Sequence, residues 1–280
     1  MHNLRLILLI LAVSSGVIAS VLLLRSSFHR EQAFSRSTQA DRESKTTSMP
    51  GGLDGVEAEL RAKLAVAPDY SYFFDQLKVA FPVEYQAFLR MHSRRSNSKA
   101  DEPNPDILLA EATRFLRVSR GTAAAKAGLP AIQHIFELQA AMLAALAADD
   151  PSLCAEFLSA SESNRFYAFS AHHRGLVAAL GLAGLEAIRD GEVKQIDRAA
   201  PANEDFSDFE NALRGKGLAE AEIAALLDGK TRGASISDAR LCEAGQVYLE
   251  TLNTLPEPMR LRIYGFAIEL MARSETSSWR

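Results

Sequence analysis

Pro130 to Leu146 reads Pro-Ala-Ile-Gln-His-Ile-Phe-Glu-Leu-Gln-Ala-Ala-Met-Leu-Ala-Ala-Leu. Ile132, Ile135, Phe136, Leu138, Met142, Leu143 and Leu146 recur three and four residues apart, the spacing of one helix face. Proline at the front fits a first helical turn, where its missing N–H is not needed. The same pattern governs both flanks. Upstream, Asn104-Pro105 is a cap followed by proline, with Leu108, Leu109, Ala112, Phe115 and Leu116 on one side and Gly121 near the end. Downstream, Asp150-Pro151 starts a short helix carrying Cys154. Ser161 caps a long one running to Asp190, with Gly191 as its terminator. Leu176 to Leu185 inside it is almost wholly apolar and reads as the central buried helix.

The remaining chain follows suit. Asp54 and Glu57 have capping-box spacing ahead of Val56, Leu60 and Leu64. Pro82 divides Tyr70–Ala80 from Val83–Met91, and Ser93 to Pro103 reads as a polar loop. Glu192 to Glu204 is a second loop. Further helices are expected at about Phe206–Arg214, Ala219–Leu227, Ser237–Thr254 and Glu257–Ala272. No alternating β-branched run longer than a few residues is present. Residues 53–280 therefore read as an all-α, bundle-like globular domain of about ten helices.

The N-terminus has a different character. Residues 1–5 form a short head. Leu6 to Leu24 are nineteen uncharged residues, flanked by Arg5 and Arg25. As a helix they would rise roughly 28 Å, close to the ~30 Å hydrocarbon core of a bilayer. Two readings compete: a transmembrane signal-anchor, or a cleaved secretory peptide cut after Val17-Ile18-Ala19. The apolar run continues through Val21-Leu22-Leu23-Leu24, which favours the anchor. Residues 25–52 hold six Ser and three Thr and no Leu, Ile or Val, so they read as a disordered tether. Arg25, Arg30, Arg36 and Arg42 follow the span, which taken alone favours a cytoplasmic domain. The layout of head, single anchor, tether and large domain favours export, since long domains translocate largely regardless of charge. The expectation is a single-pass protein of the bacterial inner membrane, with its bulk in the periplasm.

Charge excludes one class of partner. Residues 1–52 carry +3 and the whole chain −4, so the domain is at −7. It lacks the basic field that attracts phosphate backbones, and nucleic acid is not expected as a partner. Cys154 and Cys242 are the two cysteines, each within Asp-x-x-Leu-Cys at the start of an expected helix. They admit three readings: a structural disulfide, two separate buried thiols, or a reactive thiol.

Seven of the 21 aromatics lie within nineteen residues: Tyr70, Tyr72, Phe73, Phe74, Phe81, Tyr85 and Phe88. They read either as core or as a surface or groove for a peptide or acyl chain. His134 with Glu137, and His172 with His173, do not reproduce the paired Glu-x-x-His pattern of di-iron bundles, so no metal or other cofactor is expected. No nucleophile elbow, phosphate loop or dinucleotide fingerprint occurs. Gly175, Gly181 and Gly184 more readily admit a neighbouring helix than a phosphate. Two functions remain: a membrane-tethered domain that binds other proteins as a scaffold or accessory of an envelope assembly, or a helical enzyme or acyl-chain-binding protein with a pocket near Tyr70–Phe88.

Overall fold

The computed structural model describes residues 52–96, 104–158, 164–228 and 236–277. The head, the apolar segment 6–24, the tether up to residue 51 and the cap expected at Ser161 lie outside the described residues. The described residues form twelve α-helices and no strand. These are α1 (Leu53–Leu64), α2 (Pro68–Ala80), α3 (Pro82–Ser96), α4 (Pro105–Ala124), α5 (Leu129–Asp149) and α6 (Pro151–Leu158). They continue with α7 (Asn164–His172), α8 (Arg174–Lys194), α9 (Asn203–Gly215), α10 (Glu220–Asp228), α11 (Asp238–Thr254) and α12 (Glu257–Ser277).

The starts follow the sequence signals in part. The Asn104 side chain accepts from the Ile107 N–H at 2.9 Å, and proline occupies the first turn of α2, α4 and α5. The capping box expected at Asp54 does not form: Gly52 is the N-cap of α1, and Asp54 sits inside its first turn, where its charge meets the helix dipole. The single helix expected up to Asp190 is two. His173 leaves helical geometry (φ −122°, ψ 31°), and its ring stacks on Phe169 at 4.2 Å. The loop expected from Ser93 starts later, because α3 carries on to Ser96. His92 continues its inward face, buried and stacked on Phe88.

At the centre, α8 packs along α4 and α5 and touches α2. On one side, α2 and α3 lean on each other, with α1 over α3; on the other, α11 covers α5 and α6 and receives α9 and α10, while α12 lies along α4. Gly191 does not end α8. A Cβ there would lie 1.8 Å from the Ala123 carbonyl oxygen, so glycine permits backbone contact between the ends of α8 and α4. The helix stops at Gln195, which takes the left-handed conformation (φ 50°).

The α4–α5 turn is tied down from this same end. The last carbonyls of a helix lack intrahelical donors. Here Arg198 donates to the carbonyls of Ala125 and Ala127, and the Ile196 N–H donates to Lys126 at 3.0 Å. Asp190 accepts from the Gly128 N–H at 2.7 Å. Partial burial pushes the Arg198 guanidinium below its ordinary value.

Among the described residues, α5 is the one helix long and apolar enough to cross a membrane. Its apolar face is spent inside the domain: Ile132, Phe136, Met142, Leu143 and Leu146 are buried, and α8 and α11 pack against it. Cys154 on α6 and Cys242 on α11 form a disulfide, with Cα atoms 5.6 Å apart and both residues buried.

A carboxylate pins the far side. Asp205, buried on α9, accepts from two nitrogens of Arg262 on α12, one at 2.9 Å and the other at 2.5 Å, and from the Ala202 N–H at 2.8 Å. The Arg262 pairing holds the Asp205 carboxyl below the usual carboxylate range, against the opposing effect of burial. A lowered folded pKa means the group binds fewer protons folded than unfolded. Its stabilisation is complete above the ordinary value of about 4 and fades as pH falls through the folded pKa. In acid unfolding followed by circular dichroism, Asp205→Asn is expected to flatten the loss of stability below about pH 4. An unchanged acid limb would show that Asp205 does not carry this linkage.

Candidate functional site

A cavity borders α4 where it faces α8. Asp106, Ala110, Thr113, Arg117, Gly121 and Ala124 line this cavity from the first turn of the helix to its last. Eighteen residues separate the first from the last, a rise of about 27 Å. On the opposite wall stand Val177, Leu180, Gly184, Leu185 and Ile188 of α8. Ile135, Gln139 and Met142 of α5 and Phe166, Tyr167 and Ser170 of α7 close the sides, with Ile268 and Met271 of α12 at another edge. The cavity measures about 130 Å³ as the space open to the centre of a water-sized sphere. It is a slot, long and lined mostly by aliphatic and aromatic carbon.

Small residues explain why the slot exists. Gly181 and Gly184 share the inner face of α8, one turn apart. A Cβ at Gly181 would meet Thr113 Cγ2 at 3.1 Å and the Phe73 ring at 3.4 Å, so this glycine admits its neighbours closely. A Cβ at Gly184 would meet nothing within 4 Å. Close packing is thus the role of Gly181 alone. Gly184 leaves room, and Gly175 likewise has open space beside it.

Of the polar side chains lining the slot, Arg117 and Tyr167 have partners of their own, and the rest divide into two sets. The first is closed. Asp106 is 5% exposed and accepts from the Tyr70 hydroxyl at 2.6 Å and from Arg174 Nη2 at 3.3 Å. Arg174 Nη1 also donates to the Val66 carbonyl at 2.8 Å. Burial, reinforced by the Asp106 carboxylate, pushes the Tyr70 hydroxyl far above its ordinary value, so it stays a neutral donor. The Arg174 guanidinium is raised, chiefly by its hydrogen bond to Asp106. This triad joins α2, α4 and α8 and neutralises the one carboxylate of the slot. The Thr113 hydroxyl lies 2.9 Å from the Leu109 carbonyl, and the Ser170 hydroxyl donates to Phe166 at 2.9 Å. The second set is open: Gln139 is 6% exposed and makes no hydrogen bond to another described residue.

The aromatic cluster lies mainly elsewhere. Tyr70, Phe73, Phe74, Phe81, Tyr85 and Phe88 are buried in the core around α2 and α3. Phe73 meets Phe74 edge-on at 5.5 Å, and Phe74 lies 5.7 Å from Phe88. They cannot offer an exposed partner surface, and Tyr72, at 57% exposed, is the exception. Of the cluster, Phe73 reaches the slot, which lies between α4, α5 and α8.

His134 and Glu137 are a half-exposed pair 3.7 Å apart. His172 bonds to the Ala168 carbonyl at 2.8 Å, and His173 stacks on Phe169. No group of three or more His, Cys, Asp or Glu side chains is placed to hold a metal among the described residues. Sequence reasoning passed over Asp106 and Gln139. The available signal was a polar residue inside each apolar stripe: Asp106 beside Leu108 and Leu109, and Gln139 between Phe136 and Met142. In comparisons with known proteins, no family model, curated protein or solved structure matches the chain.

Proposed function

We propose that this protein is a membrane-tethered lipid-binding domain, holding one long-chain apolar guest in the slot between α4, α5 and α8. The observation that carries the reading is the slot itself: an apolar cavity lined by residues from the first turn of α4 to its last, with its single carboxylate already paired. Apolar concave sites with a few placed polar groups are the usual form of small-molecule sites. A chain-like guest matches a slot that follows α4 and is bounded by six other helices.

The N-terminal segment supplies the setting in this reading. Leu6–Leu24 anchors the chain, and the tether keeps the slot within reach of the same bilayer. The Cys154–Cys242 bridge suits an oxidising compartment, which supports a periplasmic location in this reading. Six of the seven aromatics offered as a partner or ligand surface are core residues, so they favour neither a protein-scaffold nor a Tyr70–Phe88 pocket reading.

Photolabelling is the test. Membranes containing the full-length chain are incubated with hexadecanol carrying a diazirine in its alkyl chain, then irradiated. Label is expected on peptides of the domain as well as on the anchor. Label confined to residues 6–24 would count against the reading.

A further inference from the structure

We propose that the guest is an uncharged amphiphile: one long alkyl chain bearing a hydroxyl, ester or amide that hydrogen-bonds to Gln139 partway along the slot. The inference rests on the slot being a lipid site and narrows which lipid it takes. Gln139 offers two N–H donors and a carbonyl acceptor. More than nine-tenths of the residue is hidden, it lines the slot, and its amide has no hydrogen bond to a described residue. A buried amide left without partners is disfavoured, and most native buried polar groups find one. Its neighbours along the α5 wall, Ile135 and Met142, are apolar, so packing alone would be served by leucine there.

The other polar groups fix the sign of the guest. Asp106 is engaged by Tyr70 and Arg174. The Ser170 hydroxyl proton is committed to its own helix, and the Thr113 hydroxyl sits against the carbonyls of its own. Neither can offer an anion a free donor, and an ionised head beside Ile135 and Met142 would lose its hydration without gaining a counter-ion from Gln139. A neutral hydroxyl or carbonyl needs only the amide. Arg117 and Tyr167 also line the slot, and neither is without a partner.

Three photoprobes with the same hexadecyl chain and diazirine decide between these: the alcohol, the carboxylate and the plain alkane. Each is applied to membranes containing the full-length chain and displaced by its non-photoreactive analogue. In the wild type the alcohol is expected to label the domain at lower concentration than the carboxylate. Gln139→Leu should weaken the alcohol about tenfold, the worth of one hydrogen bond to a buried amide, and leave the alkane unchanged or tighter. Gln139→Met, which keeps the side-chain length, should behave the same way, and circular dichroism checks that both variants fold. Preference for the carboxylate would overturn the inference. Equal loss of all three probes in folded variants, or no loss of any, would also overturn it while leaving the lipid site standing. Absence of domain labelling by every probe would remove the lipid site and this inference together.

Discussion

Reduction of the Cys154–Cys242 bridge is expected to lower the unfolding free energy by about 4–5 kcal/mol, on the chain-entropy account. The bond spans a sequence separation of 88 residues and joins α6 to α11 inside the core. Without it the unfolded chain regains the freedom of that long loop, while the packing around the two sulfurs stays available to the folded state. For a domain of this size the change corresponds to a drop in melting temperature of about 10 °C or more. The measurement is thermal unfolding of the full-length chain in lipid nanodiscs, with and without reductant, and again for Cys154→Ala with Cys242→Ala. Alkylation of protein taken from its native compartment without reductant gives a separate check. Two freely alkylated thiols there would contradict the bridge and remove its support for an exported domain.

Gly184→Phe is expected to empty the slot without unfolding the protein. Nothing lies within 4 Å of the position its Cβ would take, and the residue lines the cavity. Replacing glycine inside a helix gains up to about 1 kcal/mol of propensity, so stability should hold or rise. A guest forced to share the space meets an overpacking cost of about 1–3 kcal/mol. Each 1.4 kcal/mol is tenfold, so labelling by the hexadecanol probe should weaken about 10- to 100-fold. Gly181→Phe is a poor substitute, because its Cβ already meets Thr113 and Phe73. Undiminished labelling of a folded Gly184→Phe variant would show that the guest sits elsewhere.

Local signals were legible in the sequence and long-range ones were not. Asn104 and Ser237 cap their helices through the side chain, as expected of those residue types ahead of an apolar stripe. The seven apolar positions of Pro130–Leu146 lie on a helix running Leu129–Asp149, and six of them are buried, Leu138 remaining half-exposed. The errors fall where tertiary contact overrides a local preference. Gly191 carries the usual mark of a helix end, yet serves the crossing of α8 over α4, and the helix continues for another turn. Ser93 reads as the start of a loop, yet α3 runs on to Ser96, beyond His92, whose ring stacks on Phe88. His173 breaks an otherwise uninterrupted helical pattern, with its ring against Phe169.

The site was harder to read, for a physical reason. Its walls come from α2, α4, α5, α6, α7, α8 and α12, and no short spacing encodes their convergence. The aromatic run Tyr70–Phe88 drew notice because it is dense in sequence. Density of large rings is also what a core between two adjacent helices needs, and that is where six of the seven lie. The residues that do shape the slot are inconspicuous: a glycine with open space beside it, and an amide among aliphatic neighbours.

The central claim is that the slot between α4, α5 and α8 holds a lipid chain, and the most direct measurement is the position of the photolabel on the domain. Full-length protein labelled in membranes by the diazirine hexadecanol is digested and the modified residues are located by mass spectrometry. The account predicts modification within Leu109–Ala124 and Val177–Ile188, at residues such as Leu116, Leu180 and Leu185 that face the slot. Modification of the domain only at its exposed apolar residues, such as Tyr72, Val79 and Val83, would contradict it.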